Sequence, residues 1–67
     1  MEVKVNNDII QIANNTTIMS LLHQLRGDKL NGLAVALNET VVPRSQWEKT
    51  QLNQNDNILI IQATQGG

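Results

Sequence analysis

The sequence predicts a small two-layer α+β domain, in which one amphipathic helix covers one face of a mixed β-sheet. Short segments in which apolar residues alternate with polar ones, bounded by turns rich in Asn, indicate strands. A single segment has the apolar spacing of a helix. The chain has 67 residues, which is the size of one domain.

The first two predicted strands form a hairpin. Val3 and Val5 share one face of the first strand, and Ile10 and Ile12 repeat this alternation in the second. Residues 6–8, with the sequence Asn-Asn-Asp, join the two strands. Asn and Asp tolerate positive φ angles, so this segment is typical of a tight hairpin turn.

The predicted helix follows the hairpin and has about ten residues. Thr16 or Thr17 provides a hydroxyl for the N-cap, and Gly27 is the residue type that commonly follows a helix C-terminus. Between these limits, apolar residues recur at helical spacing; they are Ile18, Leu21, Leu22 and Leu25.

Two further strands and a short turn are predicted in the second half of the chain. Residues 33–37 alternate large and small apolar side chains, and residues 40–42 return as their partner after an Asn-Glu turn. Pro43 ends this strand because proline cannot donate a hydrogen bond to a ladder. We expect Ser45 to cap a single helical turn that carries Trp47.

The last predicted strand, residues 57–63, contains four consecutive apolar residues without alternation. One helix covers only one face of a sheet, so such a run indicates apolar side chains on both faces. If Ile58 and Ile60 face the helix, Leu59 and Ile61 face outward, where we expect them to dock a partner protein. The alternative is that they are ordinary exposed aliphatic residues. The small side chains expected beside them are Ala34 and Ala36.

The order of elements suggests how the sheet is arranged. If the first and last strands are adjacent and parallel at the centre, the helix crosses the inner face, which is the β-grasp or ubiquitin-like arrangement. We therefore expect a β-grasp domain over residues 1–63, with a mixed sheet of four to five strands and the helix on one face. Residues 64–67 are expected to form a flexible tail that ends in Gly-Gly.

Composition and charge exclude several classes of function. Five Lys and Arg residues against six Asp and Glu residues give a net charge of -1, without the basic cluster that nucleic-acid binding requires. The chain has no cysteine, and His23 is its one histidine, so a metal site is not expected. No secretory signal or membrane span is recognisable. We expect a cytoplasmic protein that is monomeric when free.

The C-terminal segment Gln65, Gly66 and Gly67 is the main candidate for function. Terminal glycines add no packing, but without Cβ atoms they can pass through a narrow channel. This would place the Gly67 carboxylate against the catalytic groups of another protein. A carboxylate is a poor electrophile, so this role requires activation by ATP to an acyl-adenylate. The alternative is an end without function.

Arg44, directly after Pro43, is a second candidate. Its guanidinium is suited to an acidic group on a partner protein. A local salt bridge between Arg44 and Glu48 is the alternative that the sequence leaves open.

Several motifs together resemble the ThiS family, the sulfur carrier proteins of thiamin biosynthesis. They are Ala-Leu-Asn at residues 36–38, Val-Pro-Arg-Ser-Gln-Trp at residues 42–47 and the terminal Gly66-Gly67. The resemblance implies a β-grasp fold and a carrier that is not itself an enzyme. It also implies that an E1-like adenylyltransferase uses ATP and magnesium to adenylate Gly67. A sulfur donor system fed by a cysteine desulfurase then forms a thiocarboxylate, whose sulfur thiazole synthase consumes.

Three other readings share parts of this pattern. The small subunit of molybdopterin synthase is also a β-grasp sulfur carrier with a Gly-Gly end, although the Val-Pro-Arg-x-x-Trp segment is not its hallmark. A modifier joined to lysines through Gly67 has the same tail. A noncovalent β-grasp adaptor would use only its sheet.

Overall fold

The structure is a computed structural model that describes residues 1–63. These residues contain five strands, one α-helix and one 3₁₀ turn. In chain order the elements are β1 (Glu2–Val5), β2 (Asp8–Gln11), α1 (Ile18–Arg26), β3 (Leu33–Leu37), β4 (Thr40–Val42), the 3₁₀ turn (Arg44–Gln46) and β5 (Asn57–Gln62).

The five strands form one mixed sheet in the order β2-β1-β5-β3-β4. The central strand β5 runs parallel to β1 and antiparallel to β3, while both outer pairs are antiparallel hairpins. The predicted adjacency of the first and last strands is therefore confirmed, as is the β-grasp arrangement with five strands. The predicted tail, residues 64–67, lies outside the described residues.

Both hairpins turn on two residues with positive φ. The φ angles are 48° at Asn6 and 73° at Asn7, and 49° at Asn38 and 72° at Glu39. Two consecutive positive φ angles are the mark of a type I′ turn, whose twist matches that of the strands. Asn occupies three of these four positions because its short polar side chain tolerates the left-handed region.

The helix α1 begins and ends at the predicted residue types. The Thr17 hydroxyl accepts a hydrogen bond from the Ser20 N–H at 3.1 Å, and the Gly27 N–H, at a φ of 62°, donates to the His23 carbonyl at 2.8 Å. Leu25, expected on the buried face, is instead 41% exposed, because it lies in the last turn of the helix. Within residues 1–63, no helix is long and apolar enough to cross a membrane.

The core lies between α1 and the inner face of the sheet, and Trp47 is its one aromatic side chain. Trp47 is 2% exposed, and its Nε1–H donates to the Val42 carbonyl at 2.9 Å. The other buried apolar residues are Val3, Val5, Ile12, Ile18, Leu21, Leu22, Leu30, Val35, Leu52, Ile58 and Ile60.

The prediction that Ser45 caps the turn before Trp47 is wrong. The 3₁₀ turn begins at Arg44, and Pro43 occupies the N-cap position without a side-chain hydrogen bond. Ser45 lies inside the turn, so its hydroxyl is not at the position that a capping side chain requires. The turn is closed instead by the main chain, because the Gln46 N–H donates to the Pro43 carbonyl at 2.9 Å.

Replacing Trp47 with Phe tests the polar part of this packing. The change Trp47→Phe keeps an aromatic ring but removes the donor to the Val42 carbonyl. We therefore expect the free energy of unfolding to fall by about 1–3 kcal/mol. Urea unfolding followed by far-ultraviolet circular dichroism measures this difference. The control Val41→Thr changes a side chain that is 71% exposed and should alter stability by less than about 0.5 kcal/mol. Equal losses in the two variants would contradict the assignment.

Candidate functional site

The two faces of β5 differ in what covers them. Ile58 and Ile60 face α1 and are 0% and 5% exposed, whereas Leu59 and Ile61 face the opposite side and are 48% and 55% exposed. The sequence prediction that the apolar run serves both faces is confirmed. Two large aliphatic side chains therefore stand at the centre of the sheet without cover from the described residues.

Neighbouring strands extend this exposed surface. Ala36 pairs with Leu59 and Ala34 pairs with Ile61, and residues paired across strands share a face. Val41 pairs with Ala36 from the next strand and is 71% exposed. We call Leu59, Ile61, Ala34, Ala36 and Val41 the outer patch. The small alanines leave the two large β5 side chains standing above their surroundings.

On the other side of β5, the same face of the sheet carries charged and polar side chains beside Ile9. Glu2 and Lys4 of β1 alternate with the buried valines, and the Gln11 Nε2–H donates to Glu2 Oε2 at 2.8 Å. A cavity of about 290 Å³ is lined here by Glu2, Lys4, Ile9 and Asn55, together with Val3. The outer face is thus divided, with an apolar half over β5, β3 and β4 and a mixed half over β1 and β2, in which Glu2 and Lys4 share the face with Ile9, which is 65% exposed.

Arg44 does not lie within the outer patch. Its Cζ atom is 5.7 Å from the centroid of the Trp47 ring, a distance at which a cation and an indole attract each other. Trp47 belongs to the core on the helix side, so Arg44 covers the edge of that layer. In the described residues no ion pair joins Arg44 to Glu48. A contact between Arg44 and a partner stays a prediction.

The outer patch is continuous along the chain with the segment that leads to Gly67. Ile61 is followed by Gln62, the last residue of β5, and by Ala63, whose N–H donates to the Gly32 carbonyl at 2.8 Å. The candidate residues Gln65, Gly66 and Gly67 lie outside the described residues. The sheet is therefore ordered by main-chain hydrogen bonds up to four residues before the end of the sequence.

Titratable side chains are dispersed in the part of the chain that the structure describes. Residues 1–63 hold no group of three or more His, Cys, Asp or Glu side chains that could ligate a metal ion. His23 is exposed, and its Nδ1 lies 2.9 Å from the Gly27 carbonyl and 3.9 Å from the Asp28 carboxylate. His23 thus makes its polar contacts with residues at the C-terminal end of α1, as expected of a residue on the polar side of a helix.

Sequence reasoning missed two residues near this site. Val41 was assigned only to a partner strand, although its pairing with Ala36 places it in the outer patch. The sequence assigns Asn6 to the end of the first strand, residues 2–6, and to the turn that follows, but it does not show that the Asn6 side chain contacts the main chain of Ile60. The strand lengths carried a signal for this contact, because the predicted last strand, residues 57–63, is longer than the predicted first strand.

Comparisons with known proteins agree with this geometry. The model of the ThiS family matches residues 2–67. The sulfur carrier protein ThiS of Escherichia coli (strain K12) is 36% identical over 67 residues, which are 100% of both chains.

Two structures from Geobacter metallireducens share the fold. A crystal structure of its thiamine biosynthesis protein ThiS has a TM-score of 0.85 at 23% identity and covers 100% of both chains. An NMR solution structure of a thiamine biosynthesis protein from the same organism has a TM-score of 0.80 at 23% identity, and covers 100% of this chain and 88% of that one.

The resemblance first drawn from residues 36–38, residues 42–47 and the terminal glycines is thereby confirmed. The family model leaves out only the first residue, and a relative of equal length is 36% identical. The chain belongs to the ThiS family.

Proposed function

We propose that this chain is the sulfur carrier of thiamin biosynthesis. The observation that carries the proposal is the match to the ThiS family over residues 2–67, together with 36% identity to the sulfur carrier protein ThiS of Escherichia coli over the full length of both chains. The matched region reaches Gly67, the residue whose carboxylate the carrier chemistry needs.

The proposed chemistry takes place on the Gly67 carboxylate. An E1-like adenylyltransferase, using ATP and magnesium, joins a carboxylate oxygen to the α-phosphorus and releases pyrophosphate. A persulfide of a sulfur donor system fed by a cysteine desulfurase then attacks the acyl carbon and displaces AMP. A second thiol of that system cleaves the resulting acyl disulfide, which leaves a thiocarboxylate on Gly67 and a disulfide on the donor. Thiazole synthase takes this sulfur for the thiazole ring. Gln65 and Gly66 precede the reacting group and admit it to the enzymes' narrow sites.

The chain's own residues supply a docking surface and a place for the sulfur. The sequence has no cysteine, so no side-chain thiol is available to hold sulfur as a persulfide. The carrier binds no cofactor in this proposal. It acts in the cytoplasm and is monomeric when free. It associates with each enzyme in turn through the outer patch and Arg44.

Mass analysis and truncation test the carrier role. Protein isolated from its own cells should contain a fraction heavier by the difference between a sulfur and an oxygen atom, and fragmentation should place that difference on Gly67. A variant that lacks Gly67 should fold normally, because residues 1–63 contain the core, yet should not be adenylated. Adenylation of the truncated chain, or unmodified Gly67 in cells that make thiazole, would contradict the proposal.

Charge on the outer patch tests the docking surface. Leu59→Asp and Ile61→Asp each place a carboxylate at the centre of the patch, so we expect the Kd for the adenylyltransferase to rise about tenfold or more. Titration calorimetry measures the Kd, and circular dichroism checks that both variants fold. The matched control is Leu25→Asp, which alters a leucine 41% exposed on the opposite layer. If all three variants bind alike, the outer patch is not the docking surface.

A further inference from the structure

The strand β1 is too short to cover the whole of its neighbour. In the parallel register Lys4 lies opposite Asn57 and Val5 lies opposite Ile58, and the chain then turns away at Asn6. The strand β5 continues to Gln62. Beyond Ile58, no strand among residues 1–63 therefore lies along the edge of β5 that faces β1, at the end that leads to Gly67.

The side chain of Asn6 takes the place of the missing strand. The Asn6 N–H donates to the Ile58 carbonyl at 3.0 Å, as a parallel ladder requires. In a continued ladder the Asn6 carbonyl would next accept the Ile60 N–H, but the chain turns at Asn6, where φ is 48°. Instead Asn6 Oδ1 accepts the Ile60 N–H at 2.8 Å, and Nδ2–H donates to the Ile60 carbonyl at 3.2 Å.

Asn38 makes a comparable arrangement at the opposite end of β5. It is also the first residue of a two-residue turn, with a φ of 49°, and its N–H donates to the Asn57 carbonyl at 2.8 Å. Its Oδ1 accepts the Asn57 N–H at 2.9 Å, and its Nδ2–H donates to the Asp56 carboxylate at 3.0 Å. Asn38 therefore binds the first residue of β5, and Asn6 binds Ile60 in the half of β5 that precedes Gly67.

We propose that Asn6 is a positioning residue for the reaction at Gly67. This inference rests on the proposed function. On one side of β5 the Asn6 side chain holds Ile60, and on the other side the Gly32 carbonyl holds Ala63 at 2.8 Å. Together they fix the end of β5 that precedes residues 64–67 in the sequence.

The position of Ala63 is important because Gly67 follows it by only four residues. Four extended residues span at most about 14 Å, so the reacting phosphate of the partner must come within that distance of Ala63. A displacement of Ala63 therefore displaces the volume that the Gly67 carboxylate can reach. Misplacement of a reacting group by about 1 Å can lower a rate by about 100-fold.

Asn6 and the outer patch should therefore affect different kinetic constants. Loss of the Asn6 amide keeps the pairing of Leu59 with Ala36 and of Ile61 with Ala34, so docking and KM should stay unchanged. The Gly67 carboxylate of the docked carrier should then reach the reacting position less often, so kcat should fall. A purely structural role for Asn6 would instead lower stability and leave kcat of the folded protein unchanged.

The test compares Asn6→Gly with Asn38→Gly in an adenylation assay with the full chain and its adenylyltransferase. Glycine keeps the positive φ of each turn and removes only the side-chain amide. We expect Asn6→Gly to lower kcat on the order of tenfold with KM within about twofold of the wild type. Asn38→Gly should keep the wild-type kcat. Hydrogen exchange of the Ile60 amide should accelerate in the first variant only.

A second substitution covers the case in which Asn6→Gly does not fold. Asn6→Asp keeps the size of the side chain and the acceptor for the Ile60 N–H, but it turns an oxygen toward the Ile60 carbonyl, so kcat should again fall. A wild-type kcat in the folded Asn6 variants would overturn the proposal, as would an equal loss of kcat in Asn38→Gly or a change confined to KM. A wild-type chain that is not adenylated at all would instead contradict the proposed function.

Discussion

The fold depends on the pairing of β5 with strands on both of its sides. The hairpins β1-β2 and β3-β4 are local structures, each closed by a two-residue turn, and they meet only through the strand between them. The parallel pairing of β1 with β5 joins residues more than 50 positions apart, for example Val5 and Ile58. Such pairing stabilises the fold only after the chain between the paired residues has lost its conformational entropy. The sheet is therefore complete only when its last strand is in place.

One strand thereby serves two purposes through its alternation. Ile58 and Ile60 complete the core beneath α1, while Leu59 and Ile61 form the centre of the outer patch. Placing both sets on the central strand has a structural consequence, because β3 pairs with that strand from Ile58 to Gln62. If a partner docks on the outer patch, as proposed, a surface built on paired strands should lose little conformational entropy on binding.

The sequence predicted the fold well where local patterns carry the information. Asn pairs indicated turns with positive φ, and the unalternating run after Asn57 indicated apolar side chains on both faces of β5. The exposure of Leu25 was not predicted, since spacing gives the face of a helix but not the length of sheet beneath it. The contact between Arg44 and the Trp47 ring was likewise not predicted, because it depends on where Trp47 lies in the folded chain.

The part of the site that sequence reasoning missed depends on contacts between distant residues. The hydrogen bonds between Asn6 and Ile60 join residues 54 positions apart, and those between Asn38 and Asn57 join residues 19 apart. An asparagine at a turn satisfies the turn's own requirements, so nothing local marks its side chain as a ladder partner. Only the relative lengths of β1 and β5, once adjacent, reveal the edge that needs covering.

The position of Trp47 gives the molecule a built-in optical probe. It is the one aromatic residue of the chain, and it is enclosed in the helix-side core with its indole N–H bonded to the Val42 carbonyl. The outer patch lies across the sheet from it. The emission of this indole therefore reports whether the core is intact. Because the Arg44 guanidinium lies 5.7 Å from the ring centroid, the same emission should also respond to a contact made at Arg44.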